Sequence, residues 1–555
     1  MKRLVFFWVE KFQEIDFMNH EGKFLFEDFG VDLSSKYHFE YKWDSDNREL
    51  YDLKVSVNTE LIKYSDKIHD LKVLVGNNGV GKTSLLKLIS GIVSGNKLNK
   101  TKRYVVFWEE NEKIFYYAKE CVVRGSYNQM DCLPFFTTIF YSSDFSRYQD
   151  ESVEIDSFIN VRTNYLMRYI HNKQNDSISQ YCLDEETRMI DFLIDFSKMK
   201  NAEGDSLLRE IINIPPRLIF TFMDEAVEVK IDQLVANGRI KGLFLDRESI
   251  RIIEKSRENF FDKLLFVAWL GLCEKNDNEE IDESKEIVEN FDLYMRKKHP
   301  EVVESIMELS KTAHLGEVSF YEGGPKLFVA MYNLENEFDE VRSFRDRIRS
   351  VNPYFLFMPI TIDYPLSAGE YEYMQFFSRF WNVIKKNHNQ MDNSDFLLIL
   401  DEVDRGLHPE WQRIWFTRFL ESLDAISDTY GIKINMQLFM ATHSPFMLSD
   451  FADESILKLK RVQDKSGFLS NVKCDYSPTK CFGGNIYDIM KDGFFLESSI
   501  GGFVENEITK MIEDVKKCKE ENCPLSKDYS FVNRIGNPIL KSLLLQKIKS
   551  VVGKK

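Results

Sequence analysis

Gly76-Asn77-Asn78-Gly79-Val80-Gly81-Lys82-Thr83 decides how this chain folds. An apolar run, Val73-Leu74-Val75, leads into it, and a helical pattern, Ser84-Leu85-Leu86-Lys87-Leu88-Ile89, leads out. Strand, glycine loop and helix together make G-x-x-x-x-G-K-[ST] a phosphate-binding loop. Glycines let the backbone turn tightly and aim its N–H groups at an anion. The helix N-terminus behind the loop adds partial positive charge. The expected nucleotide-binding set is Gly76, Asn77, Asn78, Gly79, Val80, Gly81, Lys82, Thr83 and Ser84. Lys82 would reach the β- and γ-phosphates, and the Thr83 hydroxyl would ligate Mg²⁺.

A phosphate loop alone does not separate a kinase from a GTPase or a motor, and the second half of the chain carries that choice. Phe396-Leu397-Leu398-Ile399-Leu400 is a continuous apolar run, as a buried parallel strand should be, and it ends in Asp401-Glu402. Acidic residues at such a strand end sit beside the phosphate loop. Asp401 is placed to hold Mg²⁺, and Glu402 to polarise an attacking water as general base. Upstream, Leu366-Ser367-Ala368-Gly369-Glu370 opens a helix with a Ser-x-x-Glu capping box. That helix start can also meet an anion. Downstream, Met436 to Ala441 is another strand, followed by Thr442-His443-Ser444-Pro445. A histidine there can sense a γ-phosphate through one hydrogen bond.

With 555 residues, 43% of them hydrophobic, the chain has room for two to four domain-sized units with sizeable cores. A formal net charge of −16 argues against a general nucleic-acid binder, although a local basic groove such as Lys97–Arg103 stays compatible with it. None of the eight cysteines forms Cys-x-x-Cys, and Cys518 and Cys523 have no histidine nearby to complete a zinc set. All eight read as reduced thiols of a cytoplasmic protein. Met1 to Val9 lacks a signal-peptide pattern, and Leu264 to Cys273 spans about half a bilayer. No membrane segment is expected.

The patterning predicts an α/β architecture. Strands are expected at 4–9, in two pieces within 38–57, at 71–75, in a hairpin at 104–118 and at 136–142. These make a first lobe, 1–145. Residues 146–345 show helical periodicity at Glu185–Phe196, Arg247–Leu272 and Glu280–Met307 and read as a mostly helical insertion without sustained heptads. A second lobe, 346–480, and a helical tail, 481–555, follow.

In order, Gly76–Thr83, Leu366–Glu370, Phe396–Glu402 and His443 resemble the Walker A, signature, Walker B and switch-histidine motifs of ABC-type ATPases. That resemblance implies a two-lobed head binding ATP and Mg²⁺, paired head to tail with a second copy. Ser367, Gly369 and Glu370 of one copy would then close in trans over the ATP of the other. Asp404 would lie on the loop crossing the dimer interface. The stretch Asp401-Glu402-Val403-Asp404-Arg405-Gly406-Leu407-His408-Pro409-Glu410-Trp411-Gln412 resembles D-E-x-x-x-x-L-H-P-x-x-Q of overcoming-lysogenization-defect (OLD) and related SMC-like bacterial ATPases, many of them anti-phage. No Q-loop glutamine stands out except Gln149. The tail has neither the Asp-x-Asp of a Toprim nuclease nor an H-N-H pattern, so no nuclease is expected in this chain. Phe482–Asp488, Phe494-Phe495 and Ile535–Pro538 resemble the ends of the PtuA-type ATPases of Septu and retron systems. That likeness implies a separate HNH-type nuclease effector as partner, with DNA or a retron component as further candidates. The rival readings are an SMC-like DNA-repair ATPase and the soluble ATPase subunit of a transporter.

Overall fold

The computed structural model describes residues 1–12, 25–93, 101–143, 158–163, 165–167, 177–196, 217–221, 224–236, 245–257, 259–275, 284–311, 314–318, 327–333, 337, 339–343, 346, 360–362, 366–463, 469–478, 480–496, 498, 500–521 and 523–552. Residues 97–100 of the basic run and Gln149 lie outside them. The chain divides into two compact units, Met1–Gly483 and Gly484–Lys555.

The first unit is built on a seven-stranded sheet. Its order is Phe158–Asn160, Thr137–Ser142, Asp395–Asp401, Asn435–Ala441, Ile68–Gly76, Ile456–Gln463 and Leu469–Asp475. Neighbours run parallel except for the last pair, which is antiparallel. The two stretches expected as separate lobes therefore share one sheet. Parallel neighbours cannot be joined by tight turns, so strands adjacent in space come from distant parts of the chain.

The helix Lys82–Val93 lies between two sheets. Its Leu85, Leu86, Leu88 and Ile89 share a core with Leu74, Leu397, Ile399 and Phe439 of the large sheet. Phe7, Val9, Phe29 and Val31 close that core from a five-stranded sheet ordered Phe26–Asp32, Lys2–Phe12, Tyr104–Glu110, Lys113–Lys119 and Asn128–Gln129. The hairpin expected at 104–118 turns through Asn111 and Glu112, both at positive φ (50° and 65°). Such a pair matches the twist of the strands it joins. The far face of this sheet packs Trp8 and Phe107 against Tyr37, Phe39 and Leu50 of a three-stranded sheet.

One polar residue joins the layers. Gln437 is fully buried in an otherwise apolar strand. Its Oε1 accepts from Leu4 N (2.8 Å), and its Nε2 donates to Leu4 O (2.8 Å) and Leu33 O (2.9 Å). Beside these bonds, the register of the Leu4 strand against Tyr104–Glu110 shifts between Leu4 and Phe6.

The described part of residues 146–345 is mostly helical and also contains short strands. Their described helices, from Asp224–Ala236 to Pro300–Ser310, do share a core built on Ile231, Trp269, Phe291 and Ile306. The same stretch also supplies Phe158–Asn160 to the main sheet. It further supplies three strands of a four-stranded antiparallel sheet, ordered His314–Val318, Leu327–Asn333, Arg217–Thr221 and Ile360–Ile362. Strands of three to seven residues are too short to register against the helical periodicity around them.

The helix Ala368–Met391 is held to the helix Ser177–Phe196 by a fully buried ion pair. Arg379 Nε donates to Glu185 Oε2 at 2.9 Å, and neither side chain is exposed. Arg379 Nη1 donates to Val161 O (2.9 Å) and Thr163 Oγ1 (3.1 Å), and Nη2 to Tyr181 OH (2.7 Å). Every side of the guanidinium is thus satisfied, as a desolvated charge requires. The second unit is helical, with Ile508, Met511, Val515, Val532 and Leu544 at its centre.

Arg379→Met should destabilise the first unit by about 3–5 kcal/mol, because it breaks a fully buried charge pair and leaves the buried Glu185 with only the partly exposed Arg188 as its ion partner. Arg379→Met with Glu185→Leu should recover more than half of that in urea denaturation.

Candidate functional site

Three neighbouring strands of the large sheet end together. Ile68–Gly76 runs into the glycine loop, Asn435–Ala441 into Thr442-His443, and Asp395–Asp401 into Glu402. Register aligns Asp401 with Ala441 and Ala441 with Leu74. The histidine strand lies between the other two, so all three loops open on one edge of the sheet, where parallel α/β sheets bind ligands.

The loop requires its glycines. Gly76, Gly79 and Gly81 have φ of 148°, 72° and 99°. A Cβ on Gly76 would stand 2.4 Å from Leu459 O, closer than any side chain tolerates. Lys82 folds back over the loop, its Nζ donating to Gly76 O (3.0 Å) and Asn77 O (3.3 Å). Burial pushes the Lys82 pKa down, opposed by the charges of Glu402, Asp401 and Asp404. Thr83 Oγ1 donates to Asp401 Oδ1 at 3.2 Å. Asp401 is buried, and burial pushes its carboxyl up to about 6, while the bond from Thr83 and the charges of Lys87 and Arg162 pull the other way.

Glu402 stands at φ 54°, where L-residues rarely go, and its N–H donates to Ala441 O at 3.0 Å. That conformation costs about 1–2 kcal/mol. His443 Nε2 lies 3.8 Å from Glu402 Oε1, too long for a direct hydrogen bond. Burial and then the Lys82 charge push the His443 pKa down to about 4, so the ring is neutral near pH 7 and the approach is not an ion pair.

The helix expected to open at Ser367 does so. Glu370 N donates to Ser367 Oγ (3.3 Å), and Ser367 N to Glu370 Oε2 (2.8 Å), the reciprocal capping box. These bonds close on the helix's own end. Gly369 approaches the loop after Glu402 so closely that a Cβ would stand 2.9 Å from Gly406 O. Asp404 lies on the loop after Glu402. It faces inward, 7% exposed, with Oδ2 accepting from His443 N at 3.0 Å.

Three residues near the site carried no assigned role in the motif reading. Gln412 Nε2 donates to Leu407 O (2.9 Å), and its Oε1 accepts from Ser444 Oγ (2.7 Å), tying the loop after Glu402 to the loop after His443. The spacing L-H-P-x-x-Q was its signal. Arg162, whose charge reaches Asp401, stacks 4.5 Å above the Phe140 ring. Arg461 Nη2 donates to Gly79 O at 2.6 Å. Nothing local in sequence marks the last two.

No family model matches this chain, and no curated protein does. Among solved structures it is similar to an SMC head bound to the C-terminal winged-helix domain of ScpA, at 11% identity and a TM-score of 0.14. The match covers 42% of this chain and 53% of that one, so this chain spans about half of that structure's length. A superposition that loose fixes neither fold nor role. What defines the class is a mixed α/β chain with a glycine loop, an acidic strand end and a histidine gathered on one sheet edge. Among the described residues no helix is long and apolar enough to cross a membrane.

Gly369→Ala should cost about 1–3 kcal/mol by forcing the helix start away from Gly406, read as a lower urea midpoint at unchanged slope. The depressed His443 pKa has a pH signature. Below the unfolded value of 6.5 the unfolded chain takes up a proton that the folded one refuses until about 4. The stability tied to the neutral ring is thus full above pH 6.5 and falls as pH drops toward 4. Unfolding midpoints of wild type and His443→Gln should therefore converge from pH 7 to pH 5.

Proposed function

We propose that this chain binds and hydrolyses a nucleoside triphosphate, ATP by resemblance, with Mg²⁺, and works as the regulatory subunit of a bacterial anti-phage system. The observation that supports it most is the adjacency of the loop, His443 and Asp401-Glu402 on neighbouring strand ends. A hydroxyl bonded to a buried carboxylate, Thr83 to Asp401, is the hard-oxygen pair that suits Mg²⁺. Mg²⁺ held by Thr83 and Asp401 would supply positive charge to the β- and γ-phosphate oxygens.

The chain's own groups do the rest. Loop N–H groups from Gly76 to Ser84 cradle the phosphates, and Lys82 exchanges its two carbonyl partners for phosphate oxygens. Glu402 takes the proton of a water placed between it and His443. The neutral His443 ring holds the γ-phosphate by one hydrogen bond. Ser367, exposed at its helix start, meets the γ-phosphate bound by a second copy, with Gly369 and Glu370 keeping that end in shape. Closing and opening of such a pair would control a separate effector of the HNH-nuclease kind. The defence role is supported by the likeness of Asp401–Gln412 and of Phe482–Asp488 to those ATPases.

Glu402→Gln should lower turnover by about 10²-fold or more while still binding ATP and accumulating as a closed dimer. Lys82→Ala should lose nucleotide binding. Normal hydrolysis by Glu402→Gln would remove the base assignment. Purification with native gene neighbours should bring down a stoichiometric nuclease; a membrane permease in its place would move the chain to transport.

A further inference from the structure

Arg461 belongs to none of the four motifs, yet it touches the phosphate loop. Leu459 is in register with Gly76, so its strand continues beside the loop after Ile68–Gly76 has ended. Leu457, Leu459 and Arg461 alternate onto one face. The two leucines enter the core shared with the loop helix, and Arg461 is the next residue on that face. The loop therefore rests on this strand twice, at Gly76 against Leu459 O and at Gly79 through the 2.6 Å bond from Arg461 Nη2.

That bond orients the loop. A planar trans peptide points its C=O and its following N–H in opposite directions. Holding the Gly79 carbonyl outward turns the Val80 N–H inward, where it closes on Asn77 O at 3.3 Å. A guanidinium has five N–H donors, and only this one bond is made among the described residues. Arg461 is exposed, and no carboxylate among the described residues pairs with it.

We propose that Arg461 is a nucleotide-binding residue. It sets the outer face of the loop through Gly79 and turns its remaining donors to the polyphosphate bound by the same copy. This rests on the loop being a nucleotide site. Glutamine could replace the carbonyl bond, but only lysine keeps the charge.

The test is titration of the full chain with Mg·ATP for wild type, Arg461→Ala, Arg461→Gln and Arg461→Lys, with the nucleotide-free melting temperature alongside. Arg461→Ala and Arg461→Gln should raise the Kd for ATP about tenfold, and Arg461→Lys should recover most of that. The nucleotide-free melting temperature should stay near wild type. Wild-type affinity in Arg461→Ala, or full recovery by Arg461→Gln, overturns the proposal and leaves the nucleotide site standing. A wild-type chain that binds no ATP overturns both.

Discussion

The hydrogen bond from Thr83 to Asp401 joins residues 318 apart in sequence, and much of the first unit serves to make it. It requires the strand Asn435–Ala441 to pass between the two strands concerned, in register with both. It also requires a carboxylate in a dry place, which burial resists by raising the Asp401 pKa. Glu402 and Asp404 stand nearby: with Asp401 they favour the charged Lys82, while the Glu402 charge adds to burial in pushing the Asp401 and Asp404 carboxyls up. A site of this kind is under electrostatic tension, and a divalent cation with phosphate would relieve it.

That tension is held by anchors outside the site. Gln437 fastens the large sheet to the five-stranded one at Leu4 and Leu33, fixing the two layers that enclose the loop helix. Gln412 links the loop after Glu402 to the loop after His443, and Asp404 holds the His443 N–H. A shift of one loop is therefore felt by the other. The helix Ala368–Met391 is pinned at Gly369 against Gly406 and at Arg379 against Glu185. Between these points Tyr373 packs on Trp411, and Phe376 on Trp415.

Local chemistry was legible where it is local. Positive-φ glycines, the Ser367 capping box, the turn at Asn111-Glu112 and the apolar run before Asp401 each need only their own neighbours. The insertion's sheet was missed because its strands are short and set among helices. The bond from the His443 N–H to Asp404 joins two loops far apart in sequence, so no local pattern showed it.

The sequence by itself determined the glycine loop, the acidic strand end, the capped helix and the histidine turn, since each follows from residue types a few positions apart. Only the tertiary structure decided which strands are neighbours, that both halves of the chain build one sheet, and that Gln437, Arg379, Gln412 and Arg461 reach the groups they hold. Parallel pairing and buried polar bonds join residues hundreds of positions apart. Their partners are set by packing of the whole sheet, which no local pattern records.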